Sequence, residues 1–142
     1  MRWVYDIKLD PDNPDRIKRY KARLVAKGFT QRAGVDFDET FAPTMHTKSM
    51  RILLALAAHN NVPVYQYDVT TAFLHASLTY ETFIEQPPGH VVPGKEDWVY
   101  RLKKAVYGLK NAPREWSKHF MSCLSKVGFS QSSKDDCLFY KR

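Results

Sequence analysis

The chain has 142 residues, 44% of them apolar and 26% charged, a length that suits one domain with a sizeable core. An aromatic share of 13% excludes a disordered tail, and no apolar run reaches the roughly 18 residues of a membrane span. Twenty-two Lys and Arg against 15 Asp and Glu leave a net charge of +7, which suits an acidic partner such as nucleic acid, or simply a solvated basic surface.

The N-terminus has no apolar run followed by a small-residue cleavage site, so no secretory signal is expected. Cys123 and Cys137 then read as reduced thiols in an intracellular compartment. His119 and Cys123 are four apart and share a helix face, but adding Cys137 makes three ligands where a structural zinc takes four. Cys123 is therefore read as a small core residue.

Trp3 to Leu9 alternates, with Trp3, Tyr5, Ile7 and Leu9 on one face, and predicts a strand. Asp10 to Asp15 is turn chemistry. A second strand is expected from Ile17 to about Phe29, with Lys18, Tyr20, Ala22, Leu24 and Ala26 facing one way. Arg19, Lys21, Arg23, Val25 and Lys27 face the other, so the two strands form a hairpin with one basic face. Gly28 to Pro43 reads as a loop. A helix is predicted over Met50 to His59, capped by Thr47 or Ser49, with Met50, Leu53, Leu54 and Ala57 as its buried stripe. Val64 to Val69 alternates as a strand, with a helical turn after it at Thr71 to Leu74. Further strands are expected at Tyr80 to Glu85, Trp98 to Val106 and Cys137 to Tyr140. Pro113 opens a helix that runs to about Val127, where Gly128 stops it. Its apolar stripe is Trp116, Phe120, Cys123, Leu124 and Val127. Strands and helices mix without strict alternation, so the fold class is α+β.

Asp68 stands at the exit of an apolar stretch, on the threshold of a helical turn. A carboxylate there can hold a hard cation such as magnesium, which takes one or two carboxylates and keeps sites for water and phosphate. On spacing alone the commoner role is to cap the turn through its side-chain oxygen.

Five segments carry a wider pattern: Arg19 to Gln31 (RYKARLVAKGFTQ), Asp36 to Pro43 (DFDETFAP), Tyr67 to Leu74 (YDVTTAFL), Glu85 to Gly89 (EQPPG) and Tyr107 to Trp116 (YGLKNAPREW). In order and spacing they resemble the Ty1/copia-type reverse transcriptase domain, over nearly the whole chain. The resemblance implies a partial polymerase right hand, a fingers hairpin plus an incomplete ferredoxin-like palm. About residues 1–46 would be the fingers-like hairpin and loop, and about 47–142 a fingers and palm portion. The implied activity is RNA-directed DNA synthesis, with an RNA template, a DNA primer, deoxynucleoside triphosphates and Mg2+ as partners and no membrane. Asp68 would be the catalytic carboxylate, with the Val69 carbonyl as a second metal ligand. Lys21, Arg23, Phe73 and Gly108 would meet the incoming nucleotide, Phe73 as a bulky gate against a 2′-hydroxyl. Arg19, Lys27, Lys110, Asn111 and Arg114 would meet nucleic acid. Asn111 can also bond backbone or cap the helix, and Gly108 and Pro113 also suit a plain strand-to-helix turn. The setting implied for the parent element is intracellular, in cytoplasmic virus-like particles or the nucleus.

The chain departs from the family pattern twice. His75-Ala76 stands where the family has Asn-Gly, residues that tolerate positive φ far better. No Tyr-x-Asp-Asp turn is present in the sequence; in the family it lies further along, with the rest of the palm, the thumb and the RNase H region. Asp135-Asp136 reads instead as a polar turn entering a strand. The chain alone is thus expected not to polymerise, to bind Mg2+ only weakly through one carboxylate and one carbonyl, and to keep an uncovered sheet edge. The rival expectation is a non-catalytic nucleic-acid-binding remnant or a domesticated transposon-derived protein.

Overall fold

The computed structural model describes residues 1–141. Its elements are β1 (Arg2–Asp10), β2 (Asn13–Val25), α1 (Thr47–His59), β3 (Phe83–Glu85), β4 (Val99–Arg101), α2 (Ala112–Lys126), β5 (Ser130–Gln131) and β6 (Phe139–Tyr140). The strands form three two-stranded antiparallel sheets in which sequence neighbours pair: β1 with β2, β3 with β4, and β5 with β6. This is a mixed α and β architecture, as the unalternated pattern of elements implied.

The hairpin of β1 and β2 has the expected sidedness. Trp3 pairs with Leu24, Tyr5 with Ala22 and Ile7 with Tyr20 on one face, while Val4, Asp6 and Lys8 pair with Arg23, Lys21 and Arg19 on the other. The turn is tighter than predicted, because the Asp10 and Asn13 side chains accept hydrogen bonds from the Asp12 and Asp15 amides, both at 3.2 Å. β2 accordingly starts at Asn13 rather than Ile17, and it ends at Val25 because the chain is drawn away at Ala26, whose amide donates to the Tyr107 carbonyl at 2.8 Å.

The core lies where the hairpin exit meets the start of α2. Ala26, Ala76, Ala105, Leu109 and Ala112 are buried, with Phe73, Leu78, Leu102, Val106 and Trp116 packed around them. Four alanines among five core residues mean that backbones approach closely. The tightest approach is between glycines: a Cβ on Gly28 would strike the Gly108 carbonyl, and one on Gly108 would strike the Ala26 carbonyl. Gly108 also has φ +94°, a conformation L residues rarely adopt.

Several expectations are corrected. Val64 to Val69 is not a strand: it has no hydrogen-bonded neighbour among the described residues and is exposed throughout. Alternation supplies the side-chain pattern of a strand, but the ladder needs a second chain segment. α1 begins three residues before the expected Met50 and buries none of its residues; Met50, Leu53 and Leu54 of the expected core stripe are exposed. Neither Thr47 nor Ser49 is its N-cap, which is His46. The strand expected from Trp98 to Val106 shrinks to Val99–Arg101, and that from Tyr80 to Phe83–Glu85. Cys123 is exposed, with its Sγ 3.6 Å from His119 Nε2, because only the N-terminal part of α2 is buried. The residue with positive φ in the turn after Asp68 is Thr71 (φ 52°); Ala76 is extended, so the His75-Ala76 departure costs no strain.

Candidate functional site

An open cleft of about 840 Å³ is lined by Asp68 and Val69, by Arg19, Lys21 and Arg23 of β2, and by Val106 and Tyr107. β2 brings the cations to the cleft, and on the Asp68 side the chain turns into a short 3-10 helix at Ala72–His75, which packs on α2. Asp68 forms no ion pair and no side-chain hydrogen bond among the described residues.

The basic wall is electrostatically crowded. The Arg23 guanidinium, together with lost hydration and the Arg19 and Lys8 charges, holds the Lys21 ammonium below the usual lysine range; Asp6 only partly offsets them. Lys8 is itself tied to Asp6 at 2.8 Å, and that bond lowers the Asp6 carboxyl. Arg19, Lys21 and Arg23 are left to meet an anion. Such a group is bound more strongly by cations that already repel one another, because it relieves the repulsion as it neutralises them.

Phe73 lies just behind the cleft. Its ring packs against Tyr107 at 4.7 Å between centroids, and its far side faces an apolar cavity shared with Trp116 and Phe120. Tyr107, at the head of the Tyr107 to Trp116 segment, is thus the aromatic residue that lines the cleft.

The other expected residues are gathered elsewhere. The Lys110 amide donates to Gln31 Oε1 at 2.7 Å, its ammonium donates to the Gln31 carbonyl at 3.1 Å, and Gln31 Nε2 donates to Asn111 Oδ1 at 3.3 Å. Because the Lys110 amide can only donate, it fixes the Gln31 amide, which in turn fixes that of Asn111. Asn111 is 1% exposed and makes no side-chain cap. With Gly108 against Ala26, these bonds lock the hairpin exit to the loop before α2. Arg114 pairs with Glu39 and donates to the Phe41 carbonyl at 3.3 Å, and the Lys27 ammonium lies 4.0 Å from Glu85. Buried Glu115 is held by Thr79, 3.0 Å from each oxygen, and by Lys118 at 3.9 Å.

Asp135 has a different role from Asp68. It is buried, and its carboxylate accepts from the His46 amide at 3.1 Å and the Cys137 amide at 2.9 Å. A Ser49 hydrogen bond, first among the causes, and these amides hold its carboxyl below the usual range. It therefore caps α1 from across the chain, in the role expected of Thr47 or Ser49. Among the described residues no group of three or more His, Cys, Asp or Glu is placed to hold a metal. No helix there is long and apolar enough to cross a membrane.

Residues 1–142 match the profile described as "Reverse transcriptase (RNA-dependent DNA polymerase)", and the chain is a member of that family, of the Ty1/copia type. It is 45% identical over 141 residues to the retrovirus-related Pol polyprotein from transposon TNT 1-94 of Nicotiana tabacum, covering 99% of this chain and 10% of that protein. It is 46% identical over 138 residues to the Pol polyprotein from transposon RE2 of Arabidopsis thaliana, covering 97% and 9%. The Ty1-LR2 Gag-Pol polyprotein of Saccharomyces cerevisiae is 34% identical over 128 residues, 89% of this chain and 7% of that protein. The chain thus spans about a tenth of these relatives' length. No solved structure matches it.

Proposed function

We propose that the cleft is the nucleotide-binding part of a reverse transcriptase active site, in which residues about 1–46 serve as fingers and about 47–142 as a fingers and palm portion of a polymerase right hand. The observation that carries this reading is that Arg19, Lys21 and Arg23 line the same cleft as Asp68 and Val69. Lys21 and Arg23 bind the triphosphate of an incoming deoxynucleotide, and Arg19 extends the basic wall toward the template–primer. Asp68 supplies one carboxylate and Val69 one carbonyl. That donor set fits magnesium, which commonly takes one or two protein carboxylates and completes its octahedron with waters and substrate phosphates. Asp68 and Val69 would hold such an ion, which would supply neutralisation of charge on the departing pyrophosphate. Phe73 backs Tyr107, so the pair presents a rigid aromatic edge to the nucleotide sugar and disfavours a 2′-hydroxyl.

With one carboxylate in the cleft, the 142-residue chain alone binds nucleotide and nucleic acid without turning over. A chimaera in which this chain replaces the matching part of the tobacco relative tests the assignment by primer extension on an RNA template. Asp68→Asn is expected to reduce extension to background, and Phe73→Val to lower the preference for deoxynucleotides over ribonucleotides. Full extension by the Asp68→Asn chimaera would refute the role of Asp68, and an unchanged ratio that of Phe73.

A further inference from the structure

One pair of metal-ligating side chains lies outside the cleft and takes no part in the proposed reaction. His119 and Cys123 stand four residues apart on α2, so they share one face of the helix on consecutive turns. Cys123 is exposed and His119 half-buried, with its ring 5.9 Å from that of Trp116. The Cys123 Sγ lies 3.6 Å from His119 Nε2.

That separation discriminates between metals. Zinc sits about 2.3 Å from a thiolate sulfur and about 2.0–2.1 Å from an imidazole nitrogen. At a tetrahedral angle those bonds hold the two ligand atoms about 3.5 Å apart, and at the right angle of a square-planar or octahedral ion about 3.1 Å. The observed 3.6 Å matches the tetrahedral spacing. Ligand chemistry points the same way, since thiolate and imidazole suit zinc, whereas magnesium takes carboxylate and water oxygens. From Trp116 to Lys134 the sequence has no Asp or Glu, so this stretch supplies no carboxylate to draw a hard cation. Cys137 is set apart from the pair. It lines the apolar cavity with Phe73, Trp116 and Phe120, and burial, followed by the Asp135 and Asp136 charges, pushes its thiol up, away from the thiolate that a metal needs.

We propose that His119 and Cys123 form a two-ligand chelate for zinc on the exposed face of α2, with water in the remaining two positions. Solvent reaches those positions because Cys123 is exposed and only Ala112 and Glu115 of α2 are buried. Binding releases the thiol proton to solvent and places the thiolate sulfur and the lone pair of the neutral imidazole on the ion. The chelate ties two turns in the C-terminal half of α2, and an ion held only by the folded helix stabilises it. The site is independent of the Asp68 cleft and differs from it in kind, with sulfur and nitrogen donors here and oxygen donors there.

The test is a cobalt(II) titration of the whole chain under a phosphine reductant, read by absorption. The parent is expected to develop a thiolate-to-cobalt charge-transfer band and the visible bands of a tetrahedral ion, at one ion per chain. Zinc should remove these bands, and a large excess of magnesium should leave them. Cys123→Ser should abolish the charge-transfer band. His119→Ala should weaken binding about ten-fold or more, since even an outer-shell partner of a metal is worth about 10–100-fold. Cys137→Ser should bind as the parent does. Zinc should raise the thermal midpoint of the parent and leave that of Cys123→Ser unchanged, and the same melts show that each variant is folded. No charge-transfer band in the parent, a band that survives Cys123→Ser or is lost in folded Cys137→Ser, or full affinity in His119→Ala would overturn the chelate. A cobalt form that sediments as a dimer, with one ion per two chains, would overturn its open coordination.

Discussion

Replacing Lys21 and Arg23 together by alanine removes two of the three basic-face cations that no carboxylate engages among the described residues. Arg19 is the third, while Lys8 on the same face is committed to Asp6 at 2.8 Å. Each phosphate contact on duplex contributes about 0.9 to the slope of log K against log salt, so three contacts supply about 2.7 and the double variant keeps about 0.9. Between 50 and 200 mM salt, a span of about 0.6 decades, the missing slope of about 1.8 corresponds to roughly a 12-fold difference in how much affinity is lost. The parent should therefore weaken about 12-fold more than the variant over that range, measured by anisotropy with a labelled duplex. Equal slopes would refute the reasoning, because cations that contact phosphate cannot be removed without reducing counterion release.

Two further outcomes follow from the joint and the cap. Gly108→Ala forces a side chain into the left-handed region and against the Ala26 carbonyl, and it should cost about 2–4 kcal/mol in chemical denaturation; Gly34→Ala, strained in φ but open to solvent, should cost less. Asp135 has its carboxyl lowered in the folded chain, so it binds protons less readily there than when unfolded. Its contribution to stability is complete above the unfolded value of about 4 and falls away as the pH drops through the lowered folded value. Thermal melts should show a steeper acid loss of Tm in the parent than in Asp135→Asn, and parallel curves would contradict the capping role.

What could be read from the sequence was what depends on neighbours along the chain. The sidedness of the hairpin follows from strict alternation between Trp3 and Leu9 and between Tyr20 and Leu24, and the bounds of α2 follow from Pro113 and Gly128. What could not be read depends on distant partners. Among the described residues, Val64 to Val69 alternates like a strand yet pairs with no neighbour, and α1 buries none of its apolar stripe. The cap of α1 comes from Asp135, 89 residues from His46, far beyond any capping-box spacing. Asp68, Lys21 and Arg23 were nameable because their segments carry family motifs. The service of Gln31 and Asn111 as a joint was hidden, since an amide that links two loops has no local signature.

The central claim is that Asp68 and the basic wall of β2 together hold one metal-bearing triphosphate. The direct measurement is paramagnetic broadening in amide NMR spectra of the 15N-labelled chain on adding manganese with a deoxynucleoside triphosphate, in the parent and in Asp68→Asn. The account predicts that signals from residues 19–23, 68–71 and 107 broaden together, and that the substitution abolishes the effect at all three segments. Broadening centred on Asp135 and Asp136, or broadening at 68–71 that leaves residues 19–23 sharp, would contradict it.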